Sequence, residues 1–119
     1  MIQTRQRVFV ASPFAGDIDR NIRYARAAVL DSVRRGEAPY APHLIMPQVL
    51  DDADTEQRAA GIDCGTAWLG VARAFVMYTD LGISSGMRDE LRMALAAGMD
   101  VYSRTLPGWG NEQGREDAP

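Results

Sequence analysis

Four short apolar runs, separated by stretches of helical spacing, constrain this chain more than any other feature. Arg7-Val8-Phe9-Val10-Ala11, Glu37-Ala38-Pro39-Tyr40-Ala41-Pro42, Ala74-Phe75-Val76-Met77-Tyr78 and Met99-Asp100-Val101-Tyr102-Ser103 read as strands. After the first, Ile18, Ile22, Ala25, Val29, Leu30 and Val33 recur at helical spacing, behind an N-cap at Asp17 and ahead of a stop at Gly36. After the second, Asp54 and Gln57 form a capping pair for a helix running to about Ala72. Gly61, Gly65 and Gly70 weaken that helix or open it for close packing or for a ligand. After the third, Met87, Leu91, Ala94 and Leu95 make a buried stripe that Gly98 ends. This β-α-β-α-β-α-β order predicts an α/β fold, a parallel sheet with helices on both faces.

At 119 residues the chain has room for one domain, expected over 1–106, and the Gly-, Glu- and Pro-rich stretch 107–119 reads as a mobile tail. Thirteen basic against sixteen acidic residues give a net charge of −3, and the basic residues are scattered. A nucleic acid polymer is therefore not an expected partner. The single cysteine, Cys64, has no partner for an internal disulfide and reads as a buried small apolar group; no residues at zinc-ligand spacing point to a metal, and no cofactor is expected. Neither a leader pattern nor an apolar run of membrane-spanning length is found, so no membrane partner and a cytoplasmic location are the expectations.

Right-handed crossovers place the loops after the strands on one edge of the sheet. That edge gathers Ser12, Pro13, Phe14, Ala15 and Gly16 with His43, Asp80 and the turn Ile83-Ser84-Ser85-Gly86-Met87-Arg88-Asp89-Glu90. The Ser-Ser-Gly turn is expected to put Glu90 in the first turn of a helix, at the site where ligands bind in open α/β sheets. Two readings stand for Glu90: a carboxylate aimed at a substrate, or an acid that complements the helix dipole. Ser84 and Ser85 serve as turn and cap residues. Leu44 to Ala53, broken by Pro47, reads as a loop over the site, and Asp51, Asp52 and Asp54 as a solvated capping turn. Phe14 and Tyr40 can stack on a base or belong to the core, and the methionines at 46, 77, 87 and 93 are packing residues.

Four segments, Val8-Phe9-Val10-Ala11-Ser12-Pro13-Phe14, Asp19-Arg20-Asn21-Ile22, Ala41-Pro42-His43-Leu44 and Ile83 to Glu90, together resemble the nucleoside 2-deoxyribosyltransferase-like superfamily, and within it the small phage and bacterial members. The resemblance runs from about Val8 to Tyr102. It implies a flavodoxin-like or Rossmann-like three-layer sandwich with a four- to five-stranded, mainly parallel sheet. It also implies cleavage of an N-glycosidic bond in a nucleoside or nucleoside 5′-monophosphate, by hydrolysis or by transfer to a second base. By the same resemblance Glu90 corresponds to the nucleophile and Asp63 to the second carboxylate. Ser12, Pro13, Phe14, Arg20, His43, Asp80, Ser84, Ser85, Gly86 and Met87 are the expected substrate contacts, with Arg20 and Ser84 suited to a phosphate. A homodimer or larger homo-oligomer is implied as well. The alternatives are a non-catalytic nucleotide-binding or sensing module and a structural protein with a vestigial site.

Overall fold

The computed structural model describes residues 4–110. Its elements alternate as the apolar runs require: β1 (Arg7–Ala11), α1 (Ile18–Arg34), β2 (Ala38–Tyr40), two 3-10 turns (Pro42–Leu44 and Met46–Gln48), α2 (Thr55–Leu69), β3 (Ala74–Tyr78), α3 (Ser85–Ala96) and β4 (Asp100–Arg104). All three strand pairings are parallel, in the order β2-β1-β3-β4. β1 and β3 lie in the centre, covered on both faces, which is why their sequences are continuous apolar runs with no alternation. β2 pairs only with β1, and an edge position tolerates Pro39.

The pleat divides the core into two layers. Val8, Val10, Val76 and Tyr78 face α1 and pack with Tyr24 and Ala28. Phe9, Ala11, Phe75 and Met77 face the other way, against Leu69 of α2 and Met87 and Ala94 of α3. The result is a three-layer α/β sandwich of flavodoxin-like order, as expected. Connections leave β1 toward β2 and β3 toward β4, in opposite directions, so a crevice opens between the carboxyl ends of β1 and β3.

Local signals set the helix ends. Asp17 and Asp54 accept from the backbone N–H of Arg20 and Gln57, three residues on in each case. Gln57 does not close a capping box onto Asp54; its side chain instead accepts from the N–H of Asp51 at 2.6 Å and holds the preceding loop. Gly36 (φ +87°) and Gly98 (φ +72°) take the left-handed conformation just past α1 and α3.

Three expectations change. The buried face of α1 is Asn21, Tyr24, Ala25, Ala28 and Ser32, while Ile18, Leu30 and Val33 are exposed. Small alanines let the helix approach the sheet, and the polar members are satisfied: the Asn21 amide donates to the carbonyls of Phe14 and Ala15, and Ser32 donates to Glu37. Leu95 of α3 and Cys64 of α2 are likewise exposed. The segment from Pro107 does not start as a tail: Trp109 is buried with Leu106 on the α1 layer and meets the Tyr24 ring edge-on at 4.9 Å. Residues 111–119 of the expected tail lie outside the described residues.

A polar network ties the far ends of the sheet together. The Arg104 guanidinium donates to both carboxylate oxygens of Glu37, at 2.8 and 2.7 Å, and to the Tyr78 hydroxyl; Tyr78 donates to Asp31. Among the described residues, no helix is long and apolar enough to cross a membrane.

Candidate active site

The crevice expected from the strand order is a cavity of about 310 Å³ between α2, α3 and the 3-10 turns after β2. That volume falls at the lower end of the range that small-molecule sites occupy. Its floor is Phe9 of β1 and Leu69 of α2, and its outer wall is the loop carrying Met46, Pro47 and Leu50. The loop from Leu44 to Ala53 thus covers the site, as its lack of periodicity and its proline suggested.

Glu90 lines this cavity. α3 begins at Ser85, so Glu90 is its sixth residue, and the first turn of α3 contains no acid. The helix dipole acts strongly only on the first turn, which removes the reading of Glu90 as a dipole acid. Burial, reinforced by the negative charge of Asp89, pushes the Glu90 carboxyl up to about 7. The net effect is the opposite of dipole stabilisation, which would lower the pKa. Asp89 is drawn outward by an exposed 2.8 Å pair with Arg92. The start of the helix is fixed by Ser84, whose hydroxyl accepts from the Met87 N–H at 3.2 Å while the Ser84 N–H approaches the Met87 sulfur at 3.4 Å. Met87 is itself buried in the sheet layer and does not line the cavity, so it anchors the turn without facing the crevice.

On the opposite side, the Phe14 and His43 rings stack at 5.1 Å with 26° between planes. Burial holds His43 below the ordinary histidine range, against the opposing pull of the Asp52 charge and a backbone hydrogen bond at Ser12. Its ring is therefore neutral near pH 7. Phe14, His43, Ser84, Ser85, Gly86 and Glu90 are brought together around one space.

The remaining expected site residues are placed elsewhere. Asp63 is exposed on α2 and is not part of the cavity wall, because its neighbours Ile62 and Gly65 occupy the inward face. Asp80 serves the fold: its carboxylate accepts from the Tyr24 hydroxyl at 2.6 Å and from the Leu106 N–H at 2.9 Å, and its own N–H donates back to the Tyr24 oxygen at 2.8 Å. Arg20 donates to the Asn21 side chain at 3.2 and 3.3 Å, and Ser12 and Pro13, the first residues of the loop after β1, are buried and do not line the cavity. Sequence reasoning missed Arg58 and gave Asp52 only a solvated capping turn, whereas its reading of the α2 glycines as open to close packing or to a ligand pointed toward the cavity face of α2. The glycine spacing of α2, Gly61 and Gly65, was the one available signal for that face. Among the described residues, no group of three or more His, Cys, Asp or Glu is placed to hold a metal ion.

A family model described as a domain of unknown function, DUF7768, matches residues 6–104. The chain belongs to the DUF7768 family. The matched span runs from the residue before β1 to the last residue of β4, so the family unit is the whole sheet with its three helices. Among solved structures, this DUF7768 chain is similar to a 2-deoxyribosyltransferase from Bacillus psychrosaccharolyticus, with a TM-score of 0.70 and 16% identity over 83% of this chain and 72% of that one. It is also similar to a conserved protein from Enterococcus faecalis V583, with a TM-score of 0.56 and 18% identity over 97% of this chain and 77% of that one. At these identities the relationship is one of fold, and it is distant. No curated protein sequence matches the DUF7768 chain significantly.

Proposed function

We propose that this DUF7768 protein cleaves the N-glycosidic bond of a nucleoside or nucleoside 5′-monophosphate, with Glu90 as nucleophile. The observation that carries the reading is a carboxylate held in a cavity at the switch point of the sheet, with its pKa raised to about 7. The fold shared with a 2-deoxyribosyltransferase supports the substrate class.

The chemistry follows from the position of charge. As the base departs, its C–N bond electrons go with it, and the anomeric carbon gains oxocarbenium character. The Glu90 carboxylate stabilises that charge and forms an ester to the carbon. The leaving nitrogen takes its proton from a water molecule that enters the cavity, which Asp52 and His43 line with Glu90 and Asp63 does not. Water then attacks the ester, releasing the sugar and restoring the carboxylate, or a second base attacks it and completes a transfer. The reading includes a second copy of the chain against the cavity rim, where Ile62 and Met93 are exposed.

The test is free-base release, followed by chromatography over a panel of nucleosides and 5′-monophosphates, with and without an acceptor base. The wild type releases base and Glu90→Gln does not, while the variant keeps its nucleoside affinity. Tight binding without release by the wild type would instead make the cavity a nucleotide sensor.

A further inference from the structure

Gly61 and Gly65 lie one turn apart on the cavity face of α2, and their surroundings differ. A Cβ at Gly61 would stand 3.3 Å from Leu50 Cδ1 and 3.9 Å from Met46 Cβ, so the missing side chain lets the covering loop close onto the helix. Gly65 is buried, yet a Cβ there would meet nothing within 4 Å. Buried helix surfaces are close-packed, and a buried Cα without neighbours faces a void. Here the void is the cavity that Glu90 also lines.

Helix stability argues against glycine at this position. Glycine in a helix interior is less stable than alanine, and an alanine methyl at 65 has space. Packing supplies no compensating reason, unlike at Gly61. The reason left is the content of the cavity.

We propose that Gly65 is a specificity-determining residue: by presenting bare helix backbone, it makes room for the flat ring system of a heterocyclic base and favours a purine over a pyrimidine. Planar rings lie closely on a surface that lacks Cβ branches, and Phe9 and Leu69 give the same space its apolar contacts. With a cavity of only about 310 Å³, the one carbon that alanine adds or the three that valine adds remove space that a second ring needs. The ligand class rests on the glycosidase reading, but the role of Gly65 is read in binding and not in turnover.

The experiment measures adenosine and thymidine affinity by calorimetry for Glu90→Gln, in which bound nucleoside is not consumed, and for the same protein carrying Gly65→Ala or Gly65→Val. Thermal melts accompany each variant. The expected result is that Gly65→Ala raises Tm by about 4 °C. It also weakens adenosine binding about 10-fold, with a smaller effect on thymidine. Folded Gly65→Val loses adenosine altogether. Adenosine affinity unchanged in Gly65→Ala, or retained in folded Gly65→Val, overturns the inference, as does a Glu90→Gln parent that binds neither nucleoside. If the parent binds adenosine and wild type releases no base, the glycosidase reading fails while Gly65 is still decided by the affinity ratios.

Discussion

Glu90 concentrates the functional argument at the scale of a single residue. Its carboxyl is raised from an ordinary 4.5 to about 7 by burial, so folding favours its protonated form. A group whose folded pKa is raised contributes stability that is complete below its unfolded pKa and is lost as pH rises through the folded one. Glu90→Gln, which removes the charge and keeps the shape, is therefore expected to raise Tm at pH 8. The gain disappears below about pH 4.5, as parallel melts at pH 4 and pH 8 would show. An acid serving the helix dipole would give the reverse sign at pH 8. For activity, the nucleophile must be ionised, so kcat/KM rises with pH through about 7, and an initial-rate profile from pH 5.5 to 8.5 checks it. The sequence placed Glu90 beside a strand end and a turn, which was enough to single it out. Its displacement from the first turn depends on where Ser84 caps the helix, and its raised pKa depends on α2 and the covering loop. The first is local, set by a cap six residues away; the burial behind the second comes from neighbours far away in sequence.

At the scale of elements, caps carry local information into the site. Ser84 both ends the loop after β3 and starts the helix that bears Glu90. Ser84→Ala is expected to cost about 1 kcal/mol, measured by urea denaturation. Asp54→Ala removes the equivalent cap from α2 and should cost a similar amount. Ser84→Ala should reduce base release by more than Asp54→Ala does, because Ser84 also lines the cavity and Asp54 does not. The helix faces were less readable than the helix ends. On α1 the expected stripe was Ile18, Ile22, Ala25, Val29, Leu30 and Val33; Ala25 is buried, but the sheet takes the face it shares with Tyr24 and Ala28, where the helix can come close, and leaves Ile18, Leu30 and Val33 exposed. Shape complementarity to two central strands decided between faces, and hydrophobic periodicity contains no term for it.

At the scale of the whole molecule, polar contacts bind segments that the chain order keeps apart. The pair between Arg104 and Glu37 joins the end of β4 to the start of β2, with both side chains largely buried. Arg104→Met strands the Glu37 charge and is expected to cost about 3 kcal/mol in denaturant melts. Hydrogen bonding to Arg104, outweighing burial, holds the Glu37 carboxyl below its ordinary range. Stability from that shift is present above about pH 4.5 and is lost as pH falls through the lower folded value, opposite in sign to Glu90. Asp80 performs a similar joining role, fastening α1 to the segment after β4 through Tyr24 and Leu106. A carboxylate after a central strand looks the same in sequence whether it faces a ligand or a tyrosine.

The sequence by itself determined the order of elements, the continuous apolar character of β1 and β3, the caps at Asp17, Asp54 and Ser84, and hence a parallel α/β sheet with its crevice at the strand ends. These follow from interactions within a few residues, together with the fixed hand of the crossovers. Only the tertiary structure decided which face of α1 is buried, that Asp63 is exposed and Asp80 is engaged in the fold, that Trp109 belongs to the core, and that Gly65 opens onto the cavity of Glu90. Those outcomes are set by which distant surfaces meet, and a side chain's solvent, partners and pKa exist only after they have met.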